Sequence, residues 1–248
     1  MNLTQFFTEH PKAALAFSGG VDSAYLLYAA VRSGADVTAY YVLTAFQPRF
    51  ELEDAKRLAR ELGAKMQILE VDILCRDAVT ANPTDRCYHC KKAIFSAIAD
   101  AAKGEGYDLI LDGTNASDDA SDRPGMRALR ELEVRSPLRE AGLTKGEIRR
   151  LSKEAGLFTH DKPAYACLAT RIPTGEFITA DKLQKTEAAE TWLAQLGLRD
   201  FRVRLLDGCA KLQVTEKDLE TVLLHRQEIV TELKNYYKSV LLDLEVRP

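Results

Sequence analysis

The chain lacks a membrane-length apolar run, an excess of charge of one sign and a cysteine count suited to a disulfide framework. No stretch approaches the ~18 apolar residues that a bilayer-spanning helix needs. The opening MNLTQFFTEH carries no basic segment followed by an apolar one, so no secretory leader is expected. Together these absences predict a cytoplasmic protein with no membrane partner. Lys and Arg number 34 against 37 Asp and Glu, a net charge of −3. That balance argues against a nucleic-acid partner while leaving room for a local basic pocket that takes a small anion. The five cysteines, Cys75, Cys87, Cys90, Cys167 and Cys209, do not staple a chain of 248 residues; a close Cys-x-x-Cys pair in such a protein points to metal or redox chemistry. Internal repeats, a low-complexity tail, the Gly-Lys-Ser/Thr ending of a P-loop and the G-x-G-x-x-G spacing of dinucleotide folds are also missing.

What is present is alternation. Strand-like runs at 13–17, 37–44, 65–72 and 108–114 are separated by helical patterns at 22–31, 52–63 and 91–103. This order predicts an α/β fold, a parallel sheet with helices on both faces. Ligands of such sheets sit beyond the carboxyl ends of the strands, and there the chain places SGGVDS (18–23) and DGTNASDD (112–119). Around 170–180 the pattern changes. A helix at 181–197, two short strands (201–206 and 210–214) around the turn Asp207-Gly208, a helix at 216–235 and a strand at 239–246 predict a smaller α+β domain. The expected division is 1–170 and 171–248.

SGGVDS suits an anion. Gly19 and Gly20 let backbone approach closely, Ser18 and Ser23 offer hydroxyls, and the helix that starts at Asp22 offers free N–H groups and a positive dipole end. Asp22 is at odds with phosphate unless it serves Mg²⁺ or the helix cap.

DRCYHCKK sets Cys87 and Cys90 three apart before a helix, and Cys167 lies far along in KPAYACLATRIP. A Cys-x-x-Cys pair plus one distant Cys can ligate three irons of a 4Fe–4S cluster and leave the fourth open. Zinc, with His89 or Cys75 as fourth ligand, and a redox dithiol are the competing readings. Lys162 and Arg171 lie close to Cys167 in sequence; cationic neighbours favour thiolate, and Pro163 and Pro173 place this cysteine in a loop. Cys75 and Cys209 read as small apolar fillers. Arg202 and Arg204 alternate with Phe201, Val203 and Leu205, so both point to one strand face, where two guanidinium forks suit a phosphate and a solvated face is the plain alternative. Arg123, Arg127 and Arg135 are further candidates; the last two are eight apart, roughly one helical face, with Pro137 limiting how far that helix runs.

SGGVDS resembles the pyrophosphate loop of the PP-loop ATP pyrophosphatases, the adenine nucleotide alpha hydrolase-like fold of GMP synthetases, NAD synthetases and tRNA thiolases. With DRCYHCKK, residues 112–151, residues 159–179 and FRVRLLDG (201–208), five motifs in order over nearly the whole chain resemble the LarE family. The resemblance implies an enzyme: MgATP adenylates a carboxylate of pyridinium-3,5-biscarboxylic acid mononucleotide, and sulfur displaces AMP to give a thiocarboxylate in nickel-pincer cofactor synthesis, which serves lactate racemase. It implies that Ser18, Gly19, Gly20, Val21, Asp22 and Ser23 bind ATP phosphates, with Asp22 near Mg²⁺. Thr114 and Asn115 then line the nucleotide or the reacting carboxylate, and Asp118 or Asp119 assists the metal. Thr170, Arg171, Arg202, Arg204 and Glu190 bind the substrate phosphate. Cys87, Cys90 and Cys167 hold a cluster, as in three-cysteine members; members with one cysteine sacrifice its sulfur. A homo-oligomer and an unidentified sulfur donor are implied as partners. The chain departs from the family pattern at Lys211 and Gln213, where Arg and Glu are usual, and in its ending DLEVRP. A tRNA thiolase, an ammonia-dependent NAD- or GMP-type synthetase and a binding module without catalysis are the other readings of the same loop.

Overall fold

The computed structural model describes residues 2–118 and 124–247; Asp119 and Arg123 lie outside them. The elements run α1 (Leu3–Glu9), β1 (Lys12–Ala16), α2 (Val21–Arg32), β2 (Asp36–Leu43), α3 (Arg49–Leu62), β3 (Lys65–Glu70), α4 (Asp77–Thr80), α5 (Arg86–Gly104), β4 (Ile110–Leu111) and α6 (Pro124–Glu131). There follow α7 (Pro137–Glu140), α8 (Lys145–Glu154), α9 (Ala180–Gln195), β5 (Arg202–Leu206), β6 (Cys209–Gln213), α10 (Leu219–Leu224), α11 (Arg226–Leu233) and β7 (Val240–Leu242). Single 3₁₀ turns lie at Phe158–Asp161, Leu168–Arg171 and Glu216–Asp218. Two compact units result: Met1–Ile73 with Asp85–Lys162, and Leu74–Thr84 with Pro163–Pro248.

In the first unit a four-stranded parallel sheet has the order β3-β2-β1-β4. Its central strands β1 and β2 are buried on both faces, which is why they read as apolar runs rather than alternations, whereas β3 at the edge stays partly exposed. Along β1, Ala13 and Leu15 pack with α2 and α3, while Ala14 packs with Phe95 and Ile98 of α5. The strand order reverses between β1 and β4: β1 leads to β2 on one side, and the chain returns to lay β4 on the other. The crevice at such a reversal, beyond the strands' carboxyl ends, is where this architecture binds ligands. β1 delivers SGGVDS there and β4 delivers Asp112-Gly113-Thr114-Asn115.

The second unit is a three-stranded sheet, β5-β6-β7, over a core of Leu193, Val203, Leu212, Ile229 and Leu233. β5 and β6 are antiparallel and β7 is parallel to β6. Asp207 and Gly208 carry φ of 50° and 81°, the two positive values that a tight hairpin turn demands. The segment Leu74–Thr84 belongs here through backbone bonds: Ile178 N–H donates to Thr80 O and Gly175 N–H to Asn82 O, at 2.8 and 2.9 Å. Asn82 is buried with φ 52°, and its amide donates to the carbonyls of Ile172 and Pro173.

Several expectations need correction. The helix expected at 216–235 is three pieces, because His225 leaves the α region (φ −93°, ψ 15°) and turns the chain. That break lets Val222, Ile229 and Leu233 all reach one core. The last strand shortens to Val240–Leu242. α5 starts at Arg86, not 91, since Pro83 is the last residue that opposes a helix there. Cys75 is exposed, not an apolar filler. α6 ends at Glu131, so Arg127 and Arg135 do not share a helix.

Candidate functional site

The first-unit site is built from backbone. Gly19 has φ 72°, which strains any side chain, and a Cβ there would lie tightly against Ala55 Cβ at 3.1 Å. Ser18 and Ser23 tie the turn across its mouth: their hydroxyls are 3.1 Å apart, Ser18 N–H donates to Ser23 Oγ, and Gly20 N–H donates to Ser18 Oγ. Gly20 is the N-cap of α2, and no side chain caps that helix. The N–H groups of its first turn, Val21 to Ser23, therefore end at the crevice with the positive pole of a 12-residue helix behind them.

Asp22 is held from two sides. Asn115 Nδ2 donates to Oδ1 at 3.3 Å, and Lys145 Nζ pairs with Oδ2. Asn115 is buried and kept in place by an Asx turn: Ser117 N–H donates to its side-chain oxygen, and its own N–H donates to Asp118. Thr114 is buried against Asp112, which also accepts from Ser136 Oγ at 2.6 Å. Asp118 thus serves the loop's own backbone.

The sequence reading missed three residues here. A Cβ on Gly113 would meet Ser23 N at 2.9 Å, so the loop after β4 lies directly on the first turn of α2. Lys145 is the first residue of α8 and reaches Asp22; the capping box Thr144-x-x-Glu147 was a legible signal for that helix start. Arg139 donates to the carbonyls of Asn115 and Asp118. By contrast Arg135 turns away to a bidentate pair with Glu140, which holds the Glu140 carboxyl below its ordinary range.

Cys87 and Cys90 stand at the start of α5, exposed and half-buried, and neither is in a disulfide. Their i, i+3 spacing in a helix puts them on one face. Arg86 Nη2 lies 3.8 Å from Cys87 Sγ. The turn is braced by α6: Tyr88 and Lys92 both donate to Glu131, and the Arg127 guanidinium stacks 4.0 Å from the Tyr88 ring centroid. Among the described residues no group of three or more His, Cys, Asp and Glu side chains is placed to hold a metal ion.

The second-unit site is built from side chains. Arg171 is 1% exposed and Glu190 4%, and they form a bidentate pair at 2.8 and 3.1 Å. Glu190 also accepts from Val203 N–H and Tyr165 Oη. Burial opposes the Arg171 charge, but its bonds to Glu190 leave its pKa raised. Arg202 is buried rather than solvated and donates to the carbonyls of Ala164 and Phe201. Arg204 donates to Gln213 and, at 2.7 Å, to the carbonyl of Thr170. Both have lowered pKa values, because burial and the charges of Arg171 and Arg247 disfavour another cation. Cys167 is half-buried at the start of the 3₁₀ turn, where its carbonyl accepts from Thr170 N–H and Oγ1.

A glycine turn and an uncapped helix at the reversal of a parallel sheet define a PP-loop ATP pyrophosphatase, an ATP-utilising class. The queuosine biosynthesis protein QueC family matches residues 12–93. A pyridinium-3,5-bisthiocarboxylic acid mononucleotide synthase of Lactiplantibacillus plantarum is 33% identical over 94% of this chain and 86% of its own. An uncharacterized Synechocystis protein is 36% identical over 98% of this chain and 92% of its own. A tRNA-specific 2-thiouridylase of Thermotoga maritima is 27% identical over 61% of this chain and 54% of its own. The chain belongs to the LarE family of PP-loop enzymes. It is an adenylating enzyme of the sulfurtransferase type. Among the described residues no helix is long and apolar enough to cross a membrane.

Proposed function

We propose that this enzyme adenylates a carboxylate of pyridinium-3,5-biscarboxylic acid mononucleotide and converts it to a thiocarboxylate in nickel-pincer cofactor synthesis. The observation that carries the reading is the coexistence in one chain of an uncapped helix N-terminus at the sheet's reversal and a guanidinium cluster flanking Cys167. The relative from L. plantarum, whose name states the corresponding product, supports the same substrate.

A carboxylate oxygen attacks the α-phosphorus of ATP, and the bond to the β-phosphate oxygen breaks. N–H groups of Val21 to Ser23 and the hydroxyls of Ser18 and Ser23 stabilise the charge that develops on departing pyrophosphate. Asp22 would hold Mg²⁺, which supplies further neutralisation of the phosphates, and Lys145 stands beside it as a phosphate partner. Thr114 and Asn115 border the same crevice. Sulfur then attacks the acyl carbon, the C–O bond breaks and AMP leaves with the electron pair. Thr170, Arg171, Arg202 and Arg204 bind the mononucleotide phosphate, while Glu190, saturated with donors, positions Arg171.

The residue types suit a cluster: two cysteines three apart at the start of α5, and a third in a loop between prolines. Cys87, Cys90 and Cys167 would hold it, and a cluster with three protein ligands supplies an iron open to exogenous sulfide. The enzyme is proposed to work in the cytoplasm as a homo-oligomer, a reading supported by exposed Leu223, Leu224 and Leu244 in the second unit. The test uses protein purified without oxygen: iron and sulfide are counted, then the Cys167 peptide mass is followed through turnover with MgATP and the biscarboxylate nucleotide. Bound iron, unchanged Cys167 and repeated thiocarboxylate formation support the cluster reading. Dehydroalanine at 167 without iron replaces it with sacrifice of the cysteine's own sulfur, and absence of any thiocarboxylate overturns the assignment.

A further inference from the structure

The arginines assigned to the substrate phosphate are already occupied, and their occupants are the main chain around Cys167. Arg202 Nη2 donates to Ala164 O, Arg171 Nη1 to Ala166 O at 3.1 Å, and Arg204 Nη1 to Thr170 O at 2.7 Å. Arg171 Nη1 also donates to Thr170 Oγ1, which in turn donates to Cys167 O. Residues 164–170 are therefore fastened on both sides of Cys167 by three guanidinium groups. Tyr165 adds a fourth fastening: its hydroxyl bonds Glu190, and its ring lies 4.8 and 5.3 Å from the Arg171 and Arg202 guanidinium carbons.

The three arginines differ in how readily they can let go. Arg171 is locked in its buried pair with Glu190. Arg202 and Arg204 bond mainly neutral acceptors, Gln213 and carbonyls; one weak contact of Arg202 to Asp200 at 3.3 Å is the exception. A phosphate is a stronger partner for an arginine than a carbonyl, since it carries negative charge and offers two oxygens that a guanidinium fork can take bidentately. An arriving phosphate thus takes these donors from Ala164 and Thr170.

We propose that the substrate phosphate and the carbonyls flanking Cys167 compete for Arg202 and Arg204, so that docking of the mononucleotide frees the Cys167 segment for sulfur transfer. This rests on the phosphate assignment made above. The device gives order to the reaction: Cys167 is held back until a phosphorylated substrate is bound, and a carboxylate lacking the phosphate leaves it fastened.

The experiment uses the full chain, reduced and kept free of iron with a chelator, and nicotinic acid mononucleotide as a probe carrying a pyridinium carboxylate and a phosphate. Binding is measured by calorimetry. Cys167 alkylation by iodoacetamide and deuterium uptake of the 163–171 peptide are read by mass spectrometry. The expected result is that the probe speeds alkylation and exchange by at least about threefold, as for local opening, with half-effect at its Kd, while the corresponding nucleoside does nothing. Arg204→Met should alkylate fast without the probe and gain nothing from it; Arg204→Lys, which keeps charge but loses the fork, should fall between. If the probe binds wild type and is weakened by Arg204→Met, yet leaves Cys167 alkylation and exchange unchanged, the competition is overturned and the phosphate assignment stands. If binding is equal in wild type and Arg204→Met, the phosphate assignment fails and the inference fails with it.

Discussion

Asp22 and Glu190 are both carboxylates paired with a cation, and they do opposite work. Asp22 is 22% exposed in its side chain and meets a Lys145 that is 33% exposed. Glu190 and Arg171 are 5% and 0% exposed. The first pair lies open at the end of a strand, on a turn whose shape is fixed by glycine backbone. The second is closed, and the shape of its site depends on the pair itself. One unit sets its carboxylate on a scaffold that stands without it, and the other makes its charged pair part of the scaffold.

The largest effect that sharpens this contrast is on turnover. Asp22→Ala should lower AMP and pyrophosphate release by about 10²–10³-fold with an unfolding midpoint close to wild type. A comparable loss of stability would erase the distinction between the two carboxylates. In the second unit the balance reverses. Glu190→Ala leaves a buried guanidinium without its partner and should cost roughly 3–5 kcal/mol of stability by denaturant titration. Because the two residues share bonds, Arg171→Met should cost less in the Glu190→Ala background than alone, by roughly 0.5–3 kcal/mol. Additive costs would mean that the pair is not the scaffold of this site.

The same contrast explains what was legible in the sequence. SGGVDS is local: six consecutive residues specify the turn and the uncapped helix start. The parallel sheet followed from strand runs alternating with helical patterns, of which β1 and β2 are buried on both faces. The bonding of Leu74–Thr84 to residues 172–178 had no local sign, because it rests on Asn82 in a left-handed conformation reaching carbonyls some 90 positions away. Likewise, alternation placed Arg202 and Arg204 on one face correctly but suggested a solvated alternative; their burial depends on Ala164 and Thr170, which alternation cannot see. Lys145 was within reach, since its capping box is a four-residue signal. The break at His225 was not, because the helical period continues through it.

A smaller effect separates binding from architecture within the arginine cluster. Arg204 is half-exposed and donates to one carbonyl and one amide. Loss of a charge-assisted bond to phosphate is worth ~1.5–3 kcal/mol. Arg204→Met should therefore raise KM for the mononucleotide about tenfold to a hundredfold while KM for ATP stays within about twofold. A rise in the KM for ATP of the same size would join the two sites that the contrast keeps apart.

The smallest effect tests an ion pair that belongs to neither site. Arg135 holds the Glu140 carboxyl below its ordinary range, first through its hydrogen bonds and then through its charge, with burial working against it. A carboxylate with a depressed folded pKa stabilises the fold above its unfolded pKa, and that contribution is lost as pH falls through the folded one. The pair is partly exposed, with side-chain exposures of 38% and 28%, so solvent screening limits it to roughly 0.2–1 kcal/mol. Arg135→Gln should be less stable than wild type by that amount at neutral pH. The gap should shrink as pH drops below the ordinary carboxylate range, because wild type then loses the same interaction. Urea titrations at neutral and acidic pH give the two differences. A gap that stayed constant with pH would mean that the Arg135 side chain acts through its stacking over Phe6, 5.2 Å from the ring centroid, rather than through the charge of Glu140.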